Sequence, residues 1–408
     1  MTTATRTLAV RLDSDGDVLL TGPAVRALAA VDPSGTVDLL ASPQGAGAAG
    51  LLPGVGQVLR FAAPWSGFDP PPVDPVAVAA LVRLLAGRRY ERAIVFTSFH
   101  QSPLPMALLA RLAGIGWVGA TSEDYPGSLL DLRHRRGAAA DGGDLPEAEA
   151  ALDLARSAGG RLRAGDDGRL AVRRPLPDPG LAPDRPYVVL HPGASVPSRA
   201  MDPGQAARSV RALAADGWAV VVTGSPGEIA LTARVTAGAA GAAVGAGAAG
   251  PAIRDLGGRT DLGGLGALLA GAACVVVGNT GPAHLAAAVG TPVVSLFSPV
   301  VPARRWAPWG VPSLLLGNQH AACRGSRARE CPVPGHPCLA GVDAQAVVRA
   351  VRRLTGHEGP LAPPATTAAA TPLPATAAAA TPPPATAAAA TPPPATAAAG
   401  RGRGVARR

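Results

Sequence analysis

Short apolar runs alternate along the chain with stretches in which alanine and leucine recur at helical spacing. A first series of runs begins at Thr7–Leu12 and continues through VDLLAS, RAIVFTS and GWVGAT. A second series opens with YVVLHPG and continues through WAVVVTGS, CVVVGN and PVVSLFS, with RSVRALAADG and LGALLAGA between its runs. Because strands that alternate with helices pair in parallel, the pattern predicts α/β domains with doubly wound parallel sheets.

A proline-rich stretch, Pro175–Pro186, separates the two series. We therefore predict two Rossmann-like domains, residues 1–178 and 179–355, that face each other across a cleft. From residue 359 onward the sequence becomes a near-repeat of TPPPATAAAA and ends in arginine and glycine. A segment without large apolar side chains cannot offset the entropy lost on ordering, so residues 356–408 are predicted to form a disordered tail.

Charge and composition narrow the range of partners. The 408-residue chain contains no lysine and has a net charge of +9, of which the last eight residues supply four through Arg401, Arg403, Arg407 and Arg408. The other arginines are scattered and aromatic residues make up only 3% of the chain, so a nucleic-acid partner is not expected. A cleft that holds phosphate explains the excess of arginine equally well.

The chain shows no pattern typical of export or of a membrane span. Its N-terminal apolar stretch is only LAV before Arg11, far shorter than the core of a signal peptide. The longest nearly apolar stretch, Leu262–Gly278, has 17 residues with five glycines and ends in a β-branched run, which favours a buried helix followed by a strand. We expect a soluble, cytoplasmic protein, with peripheral contact at the inner membrane face left open.

Four polar loops follow predicted strands. They are RLDSDGD after the first strand, HPGASVPSR after YVVL, GSPGE after WAVVVT and GNTGPAH after ACVVV. In open parallel sheets, ligands bind at the carboxyl ends of strands, where loops lead into helix N-termini. The four loops together therefore predict a ligand site in the cleft.

Individual residues in these loops each have a chemical and a structural interpretation. Asp17 is placed to act as a general base, although a helix cap suits it and its acidic neighbours equally. Ser195 and Arg199 are placed to bind phosphate, although a single arginine is more commonly solvated. Glu228 is placed to accept from ribose hydroxyls or to favour the first turn of a helix, and Thr280 is placed near a phosphate or caps an ordinary turn.

The cysteines form a separate pattern. His320, Cys323, Cys331 and Cys338 follow the spacing H-x2-C-x7-C-x6-C in a loop-rich segment, whereas Cys274 lies in an apolar run and is predicted to be core. This spacing is compatible with a structural metal, and free thiols or a disulfide are the alternatives. A cytoplasmic setting disfavours the disulfide.

Together the loops resemble those of glycosyltransferase family 9, the family of the ADP-heptose:lipopolysaccharide heptosyltransferases. The resemblance extends from about Thr7 to Leu354 and is strongest in RLDSDGDVLLTGPAVRAL, HPGASVPSR, VVVTGSPGE and VVVGNTGPAHLAAAVGTPVVSLFSP. It implies the GT-B architecture, with the acceptor in the N-terminal domain and the nucleotide sugar in the C-terminal domain. It also implies inversion at the anomeric carbon and no metal cofactor for catalysis.

The resemblance assigns Asp17 the role of catalytic base and implies a donor-binding set in the second domain. That set is Ser195, Arg199, Glu228, Thr260, Asn279, Thr280, Gly281 and His284. Asn279 departs from the family pattern, which usually has aspartate there. The SRAMD segment also lacks the tryptophan and proline that commonly follow the basic residue.

The function implied is transfer of a sugar from a nucleotide-diphosphate donor to a hydroxyl of a glycan or lipid-linked acceptor, in the synthesis of cell-envelope glycans. Heptose is the favoured sugar and ADP-heptose the favoured donor. Two alternatives are a nucleotide-sugar epimerase, which would consume the donor without an acceptor, and a non-catalytic protein that binds a nucleotide sugar. These alternatives differ in whether donor is consumed and whether acceptor is needed.

Overall fold

A computed structural model describes residues 6–32, 34–67, 69–137, 144–240 and 253–357. The predicted tail lies outside the described residues from residue 358 onward. Both sheets described below belong to one compact unit.

The first half of the chain forms a parallel sheet covered by helices. Its strands are β1 (Thr7–Arg11), β2 (Val37–Ala41), β3 (Val55–Arg60), β4 (Arg92–Phe96), β5 (Trp117–Thr121) and β6 (Leu132–His134). Its helices are α1 (Asp15–Leu20), α2 (Gly22–Ala29), α3 (Ala46–Leu51), α4 (Pro75–Arg88), α5 (Leu104–Leu112) and α6 (Glu147–Ser157). The strand order is β3-β2-β1-β4-β5-β6, with all neighbours parallel.

The second half repeats this plan. Its strands are β7 (Tyr187–His191), β8 (Ala219–Gly224), β9 (Ile253–Gly257), β10 (Cys274–Gly278), β11 (Val293–Leu296) and β12 (Ser313–Leu316). Its helices are α7 (Pro203–Ala215), α8 (Ile229–Ala239), α9 (Leu262–Gly271), α10 (Gly281–Val289), α11 (Ala303–Trp306), α12 (Pro337–Ala340) and α13 (Ala344–Thr355). Short 3-10 turns occupy Pro197–Arg199 and Pro226–Glu228.

The order of the second sheet is β12-β11-β10-β7-β8-β9, so both sheets have the same doubly wound topology. Strand order reverses between β1 and β4 in the first sheet and between β7 and β10 in the second. Such a reversal leaves a crevice at the carboxyl ends of the central strands, where ligands bind in folds of this type. The prediction of two doubly wound parallel sheets is confirmed.

Apolar side chains fill the central strands on both faces, as expected for a parallel sheet covered by helices. All residues of β1 and of β7 are buried. A single hydrophobic cluster also continues from the first half into the second, joining Ala48 and Leu52 near α3 to Leu265 and Leu268 of α9. The first sheet ends before residue 178 and the second begins after it, and the domain boundary itself stays a prediction.

The structure differs from the sequence pattern in the loop after β1. Asp17 was expected at the end of a strand-to-helix loop, but α1 begins at Asp15 and Asp17 lies in its first turn. Ser14 has the extended backbone of an N-cap residue, which allows the helix to begin early. Asp17 is therefore held by a helix rather than by a loop.

Within the described part of the chain, no helix combines the length and the apolar character that crossing a bilayer requires.

Candidate active site

Asp17 lies where the two halves of the molecule meet. Its Oδ1 is 3.2 Å from Nη2 of the buried Arg11 at the end of β1, and its Oδ2 accepts a 3.0 Å hydrogen bond from the Ser14 hydroxyl. From the second half, the indole nitrogen of Trp306 approaches Oδ1 to 3.5 Å. Both halves therefore contribute contacts to one carboxylate.

The N-terminus of α1 packs closely against that of α10. A Cβ placed on Gly16 would lie 3.1 Å from Cδ2 of His284 and 3.3 Å from Cα of Gly281. This spacing leaves little room for a side chain at residue 16. Glycine in the sequence DGD therefore brings His284 next to Asp17.

The charge balance around Asp17 favours its ionised form. Burial acts to raise the pKa of this carboxyl, but Arg11, the Ser14 hydroxyl, His284 and Arg199 outweigh burial and lower the pKa below its ordinary value. Asp17 is therefore a carboxylate at neutral pH. It is able to accept a proton or a hydrogen bond.

Two basic side chains of the second half face Asp17 without hydrogen-bond partners. Nδ1 of the buried His284 and Nε of Arg199 are both enclosed, and neither has a hydrogen-bond partner among the residues that the structure describes. Burial, assisted by Arg199, lowers the pKa of His284 to about 4 despite the opposing effect of Asp17, and burial lowers the pKa of Arg199 as well. An enclosed polar atom without a partner costs free energy, which a ligand would recover.

The N-terminus of α10 offers further donors. Thr280 is its N-cap residue, yet the Thr280 side chain makes no capping bond. Asn279 does not cap the helix either, because its Nδ2 donates to the carbonyl of Ser298 at 3.2 Å and its Oδ1 accepts from the amide of Ser298 at 3.1 Å. Pro282 has no N–H and the amide of Ala283 donates to the carbonyl of Thr280 at 3.0 Å, so the Gly281 amide is the one left without a side-chain cap at the start of α10 in the described structure.

Glu228 occupies the first turn before α8. It forms a capping box with Ser225, in which the amide of Ser225 donates to Oε2 at 2.7 Å. The same carboxylate lies 3.7 Å from Nε2 of the buried His191, and a Cβ on Gly193 would overlap with it. Gly193 therefore allows Glu228 to lie beside the loop that follows β7.

The two remaining candidates have no such contacts. Ser195 is exposed in the loop after β7, and Thr260 is half-buried in the loop between β9 and α9. Within the described residues neither side chain has a hydrogen-bond partner. The structure thus brings together Asp17, Arg199 and His284, and leaves Ser195 and Thr260 available at the edges of the second crevice.

A network beside Asp17 was missed by the sequence analysis. Nε of Arg11 lies 2.8 Å from Oδ2 of Asp13, whose Oδ1 accepts from Nε2 of Gln101 at 2.6 Å. Nη2 of Arg11 also donates to Ser98 at 2.8 Å. The sequence does contain a sign of this network, because Arg11 is a charged residue at the end of an apolar run and stands immediately before an acidic loop.

A second group of side chains that the sequence pattern does not predict joins the two halves near Asp17. The ring of Phe99, after β4, lies 5.8 Å from that of Trp306, and the Arg305 guanidinium lies 4.3 Å from the Phe99 centroid. Arg305 pairs with Asp144 at 2.6 Å and with the buried Glu147 at 3.4 Å. These contacts join α11 of the second half to the first half.

The four side chains that the spacing predicts as metal ligands differ in their burial. Cys323 and Cys338 are buried, Cys331 is partly buried, and His320 is exposed. In the described part of the chain, no three His, Cys, Asp or Glu side chains are grouped to hold a metal ion, and the cysteines are free thiols. The structural metal stays a prediction, and the reactions considered for the cleft do not depend on it.

The model of glycosyltransferase family 9 (heptosyltransferase) matches residues 78–336, more than half of the chain. The chain therefore belongs to glycosyltransferase family 9. No curated protein matches the sequence.

Solved structures of family 9 glycosyltransferases share this fold. The E. coli ADP-heptose lipopolysaccharide heptosyltransferase II is 19% identical with a TM-score of 0.64, over 86% of this chain and 98% of that one. The E. coli heptosyltransferase WaaC with ADP-2-deoxy-2-fluoro heptose is 22% identical with a TM-score of 0.62, over 85% and 99%. A Veillonella parvula family 9 protein is 14% identical with a TM-score of 0.65, over 86% and 97%. The GT-B prediction is confirmed.

Family 9 membership also confirms that the protein is a glycosyltransferase. The Gly281 amide and the nitrogens of Arg199 and His284 that have no hydrogen-bond partner in the described structure lie near the ionised Asp17. A carboxylate and the nitrogens of two basic side chains thus face each other at this site.

Proposed function

We propose that this protein is an inverting glycosyltransferase that moves heptose from ADP-heptose to a hydroxyl of a glycan or lipid-linked acceptor. The observation that carries the proposal is the placement of the ionised Asp17 opposite the unpartnered nitrogens of Arg199 and His284. The family match supports sugar transfer, and the ligand of the E. coli WaaC structure, ADP-2-deoxy-2-fluoro heptose, supports the choice of donor.

Asp17 is the proposed base. It takes the proton of the acceptor hydroxyl while that oxygen attacks C1 of the donor sugar from the side opposite the diphosphate. The bond from C1 to the diphosphate oxygen breaks with its electron pair, so configuration inverts and the nucleotide diphosphate leaves. An anion bound beside Asp17 would raise the pKa of Asp17 toward a more useful value for a base.

Arg199 and the Gly281 amide at the start of α10 are the proposed stabilisers of the leaving group. Both lie in an enclosed site, where hydrogen bonds to a developing negative charge are stronger than in water. The neutral His284 supplies a further hydrogen bond through Nδ1. In this proposal these groups take the role that a metal ion has in other transferases, and the Ser195 hydroxyl adds a contact to the diphosphate.

Glu228 and Thr260 are the proposed contacts to the nucleoside and the rest of the donor. One oxygen of Glu228 is used by the capping box, so the other remains for ribose hydroxyls. Asn279 acts through the fold, because both atoms of its amide bind Ser298. Its difference from the usual aspartate therefore places no new group in the cleft.

Calorimetric titration of the full-length protein with ADP, GDP, UDP and dTDP tests the donor site. We expect selective binding of ADP that His284→Ala weakens about tenfold, the size of one hydrogen bond to a charged group. Glu228→Gln keeps the capping geometry but removes the charge, and we expect a smaller loss. His320→Ala, at an exposed histidine outside the cleft, is the matched control.

A second assay separates transfer from the alternatives. ADP release from ADP-heptose that requires an added glycan acceptor supports transfer, whereas consumption of donor without acceptor supports an epimerase. Binding of ADP with no turnover for any acceptor supports a non-catalytic role. Failure of all four nucleotides to bind would remove the transferase proposal.

A further inference from the structure

Helix α4 is apolar on its outward side as well as on the side that packs against the first sheet. Its sequence, PVAVAALVRLLAGR, contains one charged residue before the last turn, Arg83. Leu81 and Leu85 are buried against the sheet, whereas Val76 and Leu84 on the outward side are 73% and 43% exposed. The outward side of a surface helix ordinarily carries polar residues, and a helix that is apolar all round is ordinarily buried.

Helix α5 carries a second exposed apolar pair. It packs beside α4 over the same face of the first sheet, since buried side chains of both helices belong to one cluster. Leu108 and Leu112 lie one turn apart on α5 and are 47% and 63% exposed. We call Val76, Leu84, Leu108 and Leu112 the α4–α5 surface. Large apolar side chains that are exposed together on a soluble fold are typical of an interaction site.

The charge around the α4–α5 surface is mostly positive. From Asp74 to Val118 the chain contains five arginines and two acidic residues, Asp74 and Glu91. Asp74 caps α4, where it accepts from the amide of Val76 at 2.8 Å. Arg83, on the outward side of α4, is exposed and forms no ion pair in the part of the chain that the structure describes. The surface therefore suits a partner that is both apolar and anionic.

A second copy of this chain fits the α4–α5 surface poorly. A symmetric dimer brings the same surface together from both sides, so the arginines of one copy would meet those of the other. An anionic membrane has no such repulsion. Apolar side chains enter the boundary between its head groups and acyl chains, and arginines are attracted to its charged head groups.

Both helices begin near the edge of the sheet at which Asp17 lies. Because α4 follows β3 and α5 follows β4, each helix starts at the carboxyl edge of the parallel strands, as α1 does after β1. A crevice lined by Asp13, Trp65 and Pro103 lies between the loop after β1 and the start of α5. A membrane on the α4–α5 surface is thus close to the proposed base.

We propose that the α4–α5 surface docks the protein on a membrane that contains anionic lipid. Val76, Leu84, Leu108 and Leu112 enter the boundary between head groups and acyl chains, and Arg83 binds the head-group phosphates. Docking in this way brings a lipid-linked hydroxyl to the edge of the sheet that holds Asp17. The inference rests on the proposed function and selects a lipid-linked acceptor over a soluble glycan.

Flotation of the full-length protein with lipid vesicles tests the surface. The vesicles contain either phosphatidylcholine alone or phosphatidylcholine with one-third phosphatidylglycerol, which is anionic. We expect binding to the anionic vesicles that added salt weakens, because the attraction of arginine to a charged leaflet is screened. Binding to phosphatidylcholine alone should be much weaker.

Variants assign the binding to α4. Val76→Gln combined with Leu84→Gln removes apolar contacts, adds no charge and keeps residues that suit a helix, so we expect about tenfold weaker binding. Arg83→Gln should weaken binding about fivefold. Val31→Gln, at an exposed valine after α2 on the other face of the sheet, and Arg208→Gln, at an exposed arginine of α7, are the matched controls and should bind like wild type.

The arginines at the end of the chain are the same in every variant, so the comparison among variants isolates the α4–α5 surface. Two results would overturn the proposal: a wild-type protein that does not float with anionic vesicles, or binding that is undiminished in both α4 variants. Sedimentation velocity identifies the competing partner. A dimer that Val76→Gln with Leu84→Gln dissociates, in a protein that does not bind vesicles, would assign the surface to a second copy of the chain.

Calorimetry with ADP on the same samples separates this inference from the proposed function. The α4 variants should bind ADP like wild type, because the helix lies outside the donor crevice. If ADP binds and the vesicles do not, membrane docking fails alone. If ADP does not bind to wild type, the proposed function fails, whatever the vesicles show.

Discussion

The two crevices of the molecule have the same topology but opposite electrostatic states. Beside β1 the charged groups form ion pairs with one another, since Arg11 lies next to both Asp13 and Asp17, although its Nε makes no hydrogen bond within the described residues. Beside β7 and β10 the polar groups are left open, since among the residues that the structure describes Arg199 and His284 form no ion pair and each has a nitrogen without a hydrogen-bond partner. The same fold therefore contains one crevice whose charged groups form ion pairs within the protein and one crevice whose polar groups are free to bind a ligand.

In the proposed reaction, the first crevice holds the base and the second stabilises the leaving group. A carboxylate that must act as a base gains from being held in one orientation, and its partners in the protein provide this. Groups that must stabilise a leaving anion do so more strongly when they are enclosed and have no other hydrogen-bond partner before that anion is present. Asp17, Arg11 and His284 each belong to one crevice, whereas Gly16 lies at the contact between the two.

Removing the base should have the largest effect. Asp17→Asn keeps the shape of the side chain but cannot take a proton, so we expect turnover to fall by about 10³-fold. ADP affinity should change little because the open crevice is intact. Asp15→Asn is the control, since the amide oxygen still accepts from Ala48 as the carboxylate does at 2.9 Å. Near-normal turnover in Asp17→Asn would exclude Asp17 as the base.

Removing the charge that holds the base should come second. Arg11→Gln leaves two buried carboxylates without their partner, and we expect it to destabilise the fold by about 3 kcal/mol in urea unfolding. The pKa of Asp17 should rise, so the acid limb of kcat/KM should move to higher pH.

The control for this change is Arg135→Gln, which breaks an exposed pair with Glu123. A surface pair of this kind contributes little, so stability should be almost unaffected. An acid limb that stays in place in Arg11→Gln would show that Arg11 does not set the charge state of Asp17.

His284 should make stability depend on pH. Its pKa is about 4 in the folded protein and about 6.5 when unfolded, so the unfolded chain binds the additional proton between these values. Stability is therefore lost as the pH falls from 6.5 toward 4, by about 2 kcal/mol between pH 6.5 and 5.

His284→Asn should remove this part of the slope in urea unfolding at several pH values. His320→Asn, at an exposed histidine, should retain it. Equal slopes in wild type and His284→Asn would contradict the buried, neutral state of His284.

The smallest expected effect concerns the contact between the two crevices. Gly16→Ala places a methyl group 3.1 Å from the His284 ring and 3.3 Å from the Gly281 backbone. We expect a cost of about 1 kcal/mol and a roughly fivefold loss of turnover as the two helix ends separate. Gly50→Ala is the control because its methyl group meets open space. Full activity in Gly16→Ala would show that the contact can relax.

The sequence predicted the location of the site better than its contents. Polar loops after apolar runs indicated the carboxyl ends of the central strands, and Asp17, Arg199 and His284 do lie there. This succeeds because strand-end position depends on local patterns that one sequence displays. The doubly wound sheets follow from the same patterns.

Partners contributed by distant segments could not be predicted in this way. Trp306 approaches Asp17 and Arg305 approaches Phe99, and the members of each pair are far apart in the chain and meet only through the packing of the two halves. The motif predicts that Asn279 binds the donor, and this stays a prediction; the structure adds that its amide binds the backbone of Ser298 in the neighbouring loop. The sequence offers no sign of that pairing because hydrogen bonds between neighbouring loops depend on register.

The apolar cluster that joins α3 to α9 has a consequence for how the molecule responds to heat. Two Rossmann-like halves connected only by a polar interface would melt separately. Here side chains of both halves bury one another, so unfolding one half would expose the other's apolar surface to water. Melting should accordingly be cooperative, with a single calorimetric peak whose van't Hoff enthalpy matches the measured heat.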